Sequence, residues 1–175
     1  YPEDEVTVEN FELVYEEVPE PGEGEVLVQT TSLVMAPPLR MAIGTGGITG
    51  NRVKLGALMR GSGQGVVVKS RHPDFADGDI VSGAMGWQEY AVTDGVQPFP
   101  LEKISSRAGQ PITANLHVMG SSGATAYVGL YDIAKPKVGD VLLVSAAAGS
   151  VGALVSQLGK ISGCRVVGIA GNEKK

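Results

Sequence analysis

The chain has 175 residues, with 14 Lys+Arg against 19 Asp+Glu and a formal charge of −5, enough for a real core in one domain or in parts of two. Hydrophobic residues make up 43% and charged residues 19%, too apolar a composition for disorder. Mild acidity without a basic cluster argues against nucleic acid or an anionic membrane surface as partner.

One cysteine, Cys164, leaves no intrachain disulfide and fits a reducing compartment. His72 and His117 are the only histidines, so no zinc site of four thiolates, or of paired cysteines and histidines, can form. The first 25 residues are strongly acidic, the opposite of a signal or transit peptide. No apolar run reaches the ~18 residues of a membrane span. The expectation is a soluble, cytoplasmic chain. It starts at Tyr1 without a methionine and stops at Lys174-Lys175, so it reads as a piece of something longer.

Up to about residue 100 the signals are strands and turns. Pro19-Glu20-Pro21-Gly22-Glu23-Gly24 is a turn cluster, and 25–30 follows as a strand. Residues 42–64 hold Gly44, Gly46, Gly47, Gly50, Gly56, Gly61 and Gly63. So few side chains suit either a mobile surface loop, the plainer reading, or close backbone contact. Gly65-Val66-Val67-Val68-Lys69 is a β-branched run, Asp77-Gly78-Asp79 turns into a strand at 80–82, and 87–92 alternates its bulky residues. Together these predict a small antiparallel β domain of barrel or sandwich type.

Near residue 115 the character changes. Residues 123–130 suit a closely packed helix, broken by Lys135-Pro136-Lys137-Val138-Gly139-Asp140. Val141-Leu142-Leu143-Val144-Ser145 is a continuous apolar run, as expected of a strand covered on both faces of a parallel sheet. After Ala146-Ala147-Ala148-Gly149-Ser150-Val151-Gly152, Val151, Leu154, Val155, Leu158 and Ile161 recur at helical spacing. Gly163 ends that helix and 165–170 is the next strand. Strand, small-residue turn, helix and strand open a dinucleotide-binding unit.

In such a unit Ala146 lets the chain turn off the strand, Gly149 leaves room for a pyrophosphate, and Gly152 lets the helix lie close on the sheet. The helix N-terminus then offers free N–H groups to the phosphates. Any small-residue helix crossing could carry the same spacing, so a purely structural turn stays open. A site for NAD usually has an acid at the tip of the second strand. Here the strand ends Ile169-Ala170-Gly171-Asn172, followed by Glu173, Lys174 and Lys175. Two cations there favour the extra 2′-phosphate of NADP(H), with Glu173 as the contrary sign.

Asp140-Val-Leu-Leu-Val-Ser-Ala-Ala-Ala-Gly-Ser-Val-Gly152, followed by Gly163-Cys-Arg-Val-Val-Gly-Ile-Ala-Gly171, resembles the zinc-independent medium-chain dehydrogenase/reductases, nearest to the NADPH-dependent alkenal double-bond reductases. Pro19-Glu-Pro-Gly-Glu-Gly-Glu-Val-Leu-Val28, Gly83-Ala-Met-Gly-Trp-Gln-Glu-Tyr-Ala91 and Gly123-Ala-Thr-Ala-Tyr-Val-Gly-Leu130 resemble further motifs of that group. The resemblance implies a mixed α/β chain, with a GroES-like β-barrel domain over 1–120 and the start of a Rossmann-type doubly wound sheet over 121–175. It implies NADPH on Gly149, Ser150, Val151 and Gly152, with Lys175 on the 2′-phosphate and Thr125 near the nicotinamide. The implied reaction sends a hydride to the β-carbon of an α,β-unsaturated ketone or aldehyde, with the enolate stabilised by hydrogen bonds and then protonated. The full-length protein is expected to be a homodimer without a metal.

Two departures bear on the substrate. The family usually has Asp-Pro-Tyr-Met-Arg where this chain reads Ala36-Pro37-Pro38-Leu39-Arg40, so a pocket tyrosine becomes Pro38. Ser121-Ser122-Gly123 stands where Met-Pro-Gly is common. Arg40 and Tyr90 remain candidate substrate-pocket residues, and the catalytic proton donor is unassigned. Members resembling this chain are roughly twice as long, so it reads as the N-terminal half, expected to turn over no enone by itself. A sheet cut there would leave an uncovered apolar face. A quinone reductase, or a non-catalytic nucleotide-binding relative, stays open beside the enone reductase.

Overall fold

The computed structural model describes residues 2, 5–44, 52–96, 100–105 and 110–171. Contacts divide the chain into two compact units, Tyr1–Ser105 and Ser106–Lys175, earlier than the boundary drawn at 120. The reason lies in the helical stretch after 110, whose α2 (Ser121–Tyr127) packs against helices further along the chain.

The first unit is an antiparallel sheet of five strands in the order β4-β1-β2-β3-β5. They span Val26–Leu33, Ser62–Ser70, Ile80–Ala84, Tyr90–Thr93 and Glu102–Lys103 for β1 to β5. A short helix α1, Pro37–Ile43, follows β1, with prolines at its first two positions, where no N–H is needed. Val26, Val28, Val67, Val81, Met85, Ala91 and Leu101 form the core cluster, with Leu33 and Phe75 against it.

Two expectations change here. The glycine-rich stretch drawn to 64 gives way to β2 at Ser62, while 45–51 lies outside the described residues. Gly63 and Gly65 are needed because of the backbone of the paired strand β1: a Cβ on either would stand 2.3 Å from a backbone oxygen, of Ser32 or Gln29 respectively. Close backbone contact, not mobility, explains these two glycines. The strand expected over 87–92 begins only at Tyr90. Gly86 has φ +68, and the amides of Met85 and Gly86 both donate to Gly61 O at 2.9 Å, which bends the chain before the strand.

In the second unit α2 runs on into a π-helical segment, Val128–Ala134, that ends with Lys135 in the left-handed region at φ 49. Gly123 is obligatory, since a Cβ there would lie 1.8 Å from Val118 O. Strand β6 (Val141–Val144) and strand β7 (Arg165–Gly168) pair in parallel, joined by α3, Ser150–Ile161. Leu142 and Val166 face α3, and both would touch a side chain placed on Gly159. The other face is bare among the described residues: Val141 is 67% exposed and Leu143 64%, with Val167 on the same side. β6 is therefore covered on one face rather than two, the uncovered face anticipated above. Ile161, expected on the buried stripe of α3, is 79% exposed.

Two carboxylates of the first unit are held below their ordinary pKa. Asp79 accepts from the Ala76 amide at 2.8 Å and then pairs with Lys103 at 2.7 Å. Glu20 is lowered by hydrogen bonding and charge from Lys69. A depressed carboxyl stabilises the fold above its unfolded pKa, and that contribution is lost as pH falls through the folded value. Acid denaturation of Asp79→Asn should accordingly show a shallower fall of stability below the carboxylate range than the parent, read by circular dichroism. Gly65→Ala, which must push β1 away, should lower stability by about 1–3 kcal/mol in urea unfolding.

Candidate functional site

The strand–turn–helix junction of the second unit is built by close backbone approach. After Val144 the chain turns through 145–148, and Ala146 takes φ 49, a left-handed conformation costing an L-residue roughly 1–2 kcal/mol. Three bonds hold it: Ala147 N to Ile169 O at 2.9 Å, Gly149 N to Ala146 O at 2.9 Å, and Ile169 N to Val144 O at 2.8 Å. The turn is thereby tied to the end of β7. Gly152 lies over it so closely that a Cβ would stand 2.3 Å from Ala146 O and 2.9 Å from Ala147 Cα. Gly152 thus brings the helix onto the turn itself. The approach of α3 to the sheet belongs to Gly159, a residue the glycine spacing did not single out, where a Cβ would meet Leu142 Cδ2 at 2.5 Å.

Gly149 is the N-cap of α3 in extended conformation (φ −81, ψ 170), and among the described residues no side chain caps the helix. Ala153 N already bonds Gly149 O at 2.9 Å. The amides of Ser150, Val151 and Gly152, in the first turn, therefore have no intrahelical acceptor. Three N–H groups and the positive end of a 12-residue helix converge on one spot, a ready site for an anion.

Thr125 lies on α2 in the same unit and donates its hydroxyl to Ser121 O at 2.7 Å, leaving the oxygen free to accept. Lys175 lies outside the described residues, as do Asn172, Glu173 and Lys174. Arg40 and Tyr90 are in the first unit: the Arg40 guanidinium reaches Pro2 O at 3.5 Å, and Tyr90 Oη accepts from Gln29 Nε2 at 3.3 Å. Neither lines a cavity that the first unit does form, of about 660 Å³, between α1, residues 58–62 and residues 84–88. Pro38 lines it, together with Met59, Met85 and Gln88. No local spacing singles out those last three, although Met85 and Gln88 fall within the 83–91 motif. The cavity wall comes from segments far apart in the chain, which no local spacing reveals.

His72, Trp87, Tyr127 and Cys164 have structural partners. His72 Nδ1 accepts from Asp74 N at 3.0 Å, and Trp87 stacks on Phe11 with ring centroids 5.1 Å apart. Tyr127 tilts against Tyr131 at 4.9 Å, and buried Cys164 bonds Lys137 O at 3.6 Å. Among the described residues no group of three or more His, Cys, Asp or Glu could hold a metal, and no helix is long and apolar enough to cross a membrane.

Residues 1–101 match the family model described as the N-terminal domain of oxidoreductase. NADPH-dependent curcumin reductase of Escherichia coli (strain K12) is 43% identical over 167 residues, covering 95% of this chain and 47% of that protein. Prostaglandin reductase 1 of Oryctolagus cuniculus is 40% identical over 171 residues, covering 97% and 46%. The crystal structure of CurA from Vibrio vulnificus in complex with NADPH superposes with a TM-score of 0.85 at 39% identity, over 99% of this chain and 50% of that one. The chain spans about half the length of the relatives it matches.

The left-handed alanine gives a direct check on the turn. Ala146→Gly should raise stability by about 0.5–1 kcal/mol, the relieved strain less the added chain entropy of glycine. Urea unfolding of the second unit measures it.

Proposed function

The chain belongs to the family defined by the N-terminal domain of oxidoreductases, and from that premise we propose that it is the N-terminal half of an NADPH-dependent reductase of the carbon–carbon double bond of α,β-unsaturated ketones or aldehydes. In this reading the first unit is a GroES-like domain that takes the substrate, and the parallel pair with α3 begins a Rossmann-type sheet. The observation that carries it is the uncapped first turn of α3, seated on the end of a parallel strand pair.

The amides of Ser150, Val151 and Gly152 would hold a diphosphate, since peptide N–H groups donate to phosphate oxygens and the helix end adds positive potential. Gly149 keeps that approach free of a side chain, and the Ser150 hydroxyl can add a further donor. No acid stands at the tip of β7, and Lys175 would supply the cation for a 2′-phosphate. Thr125, with its hydroxyl oxygen open to an acceptor's role, would lie beside the nicotinamide. NADPH, when bound, supplies the hydride that goes to the β-carbon of the enone. The protein's part is to hold the acceptor so that charge building on its carbonyl oxygen meets a donor. Among the described residues neither a carboxylate nor an imidazole lines the cavity of the first unit, so the α-carbon proton is not assigned to a residue there.

Titrating the 175-residue chain with NADPH, followed by nicotinamide fluorescence, tests this. Saturable binding displaced by 2′,5′-ADP is expected. Lys175→Ala should weaken NADPH about tenfold, the scale of one charge-assisted phosphate contact, and leave NADH unchanged. Equal affinity for both nucleotides in the parent chain would overturn the assignment.

A further inference from the structure

The walls of the first unit's cavity are mainly apolar, and three of the chain's five methionines, Met41, Met59 and Met85, are among them. Flexible, polarizable thioether chains suit apolar ligands of varied shape. Its volume of about 660 Å³ lies within the usual range of small-molecule pockets. Pro38 lines the wall and has neither an N–H nor a polar side-chain atom, so it offers no donor.

Among the described residues, the polar side chains of the lining are Arg60, Ser62 and Gln88. Arg60 is exposed and already engaged with other groups of the chain. Ser62 is exposed, so water competes for its hydroxyl. Gln88 is different. It is half-buried, and its Nε2 donates to Met85 O at 2.8 Å. Met85 is 1% exposed and belongs to the core cluster, so the carboxamide is oriented by a rigid point. The loop that carries it is pinned as well, with Trp87 N on Met59 O at 2.9 Å. An amide has two N–H donors and a carbonyl acceptor. Gln88 spends one donor on Met85 and keeps one N–H and its Oε1 without a partner among the described residues. A fixed donor beside apolar walls is worth more to a ligand than a mobile one in water.

We propose that Gln88 is the residue by which this cavity recognises a carbonyl. Its free Nε2–H donates to the oxygen of a ketone or aldehyde whose apolar chain lies against Met41, Met59 and Met85. The same N–H meets a stronger acceptor when negative charge gathers on that oxygen, so it favours the enolate over the ground state. The assignment rests on the function proposed above only in taking a carbonyl compound as the substrate. Every described residue of the cavity wall belongs to the first unit, so the test of binding needs no nucleotide.

The test uses the 175-residue chain without nucleotide and a ketone that cannot be reduced at a double bond. Methyl hexyl ketone is compared with its isostere in which C=CH2 replaces C=O. Trp87, the single tryptophan, reports occupancy: it precedes Gln88, and a Cβ on Gly61, which lines the cavity, would lie 2.9 Å from its Cδ1. The parent chain is expected to bind both ligands. Gln88→Leu should weaken the ketone about tenfold, the loss of one hydrogen bond in a shielded site, and change the isostere less than about twofold. An equal loss for both ligands would mean that Gln88 only shapes the loop, and would overturn the proposal. So would an unchanged ketone affinity, or no binding of either ligand to the parent. Failure of the NADPH titration leaves this result standing, so the two readings fail separately.

Discussion

The contact between Gly152 and the peptide of Ala146 is the constraint on which the second unit depends. With 2.3 Å between a notional Cβ and the Ala146 oxygen, only a hydrogen fits at residue 152. That proximity sets the first turn of α3 against the end of β6. The approach meets the turn at the left-handed alanine, which hydrogen bonds to Gly149 and Ile169 hold in place. The free amides of α3 follow from the same geometry. A side-chain cap would satisfy them internally; glycine at the N-cap leaves them facing outward.

A comparable economy of side chains governs the first unit. Gly63 and Gly65 leave no side chain against the backbone of β1, the antiparallel neighbour of β2, and Gly61 admits the indole of Trp87. The loop from Met85 to Gln88 is then bound through backbone amides to residues 59 and 61. A cavity walled by such a loop has its polar group placed in advance, because the amides of Met85, Gly86 and Trp87 are all bonded to residues 59 and 61.

The apolar runs of β6 and β7 show how a strand can be shaped for a face that its own unit does not cover. Leu142 and Val166 pack on α3 through Gly159, whereas Val141, Leu143 and Val167 remain in solvent among the described residues. Strand alternation allots alternate residues to each face, and apolar residues stand on both. Burial of one side therefore says nothing against the intention of the other.

The order of elements was legible from the sequence because each is set by short-range rules. Alternation and β-branching marked β1 and β2, 3.6-residue periodicity marked α3, and small residues after an apolar run marked the nucleotide-type turn. Local rules also placed Ala146, Gly149 and Gly152 at the junction. They could not say which glycine touches what: Gly159 meets the sheet because Leu142 and Val166, 17 and 7 residues away in the chain, converge on it. Nor could they find the cavity, whose wall joins Pro38, Met59, Met85 and Gln88 from separate segments. Conformation at a residue is dictated by its neighbours in the chain, while a binding surface is dictated by its neighbours in space, and only the folded sheet brings those together.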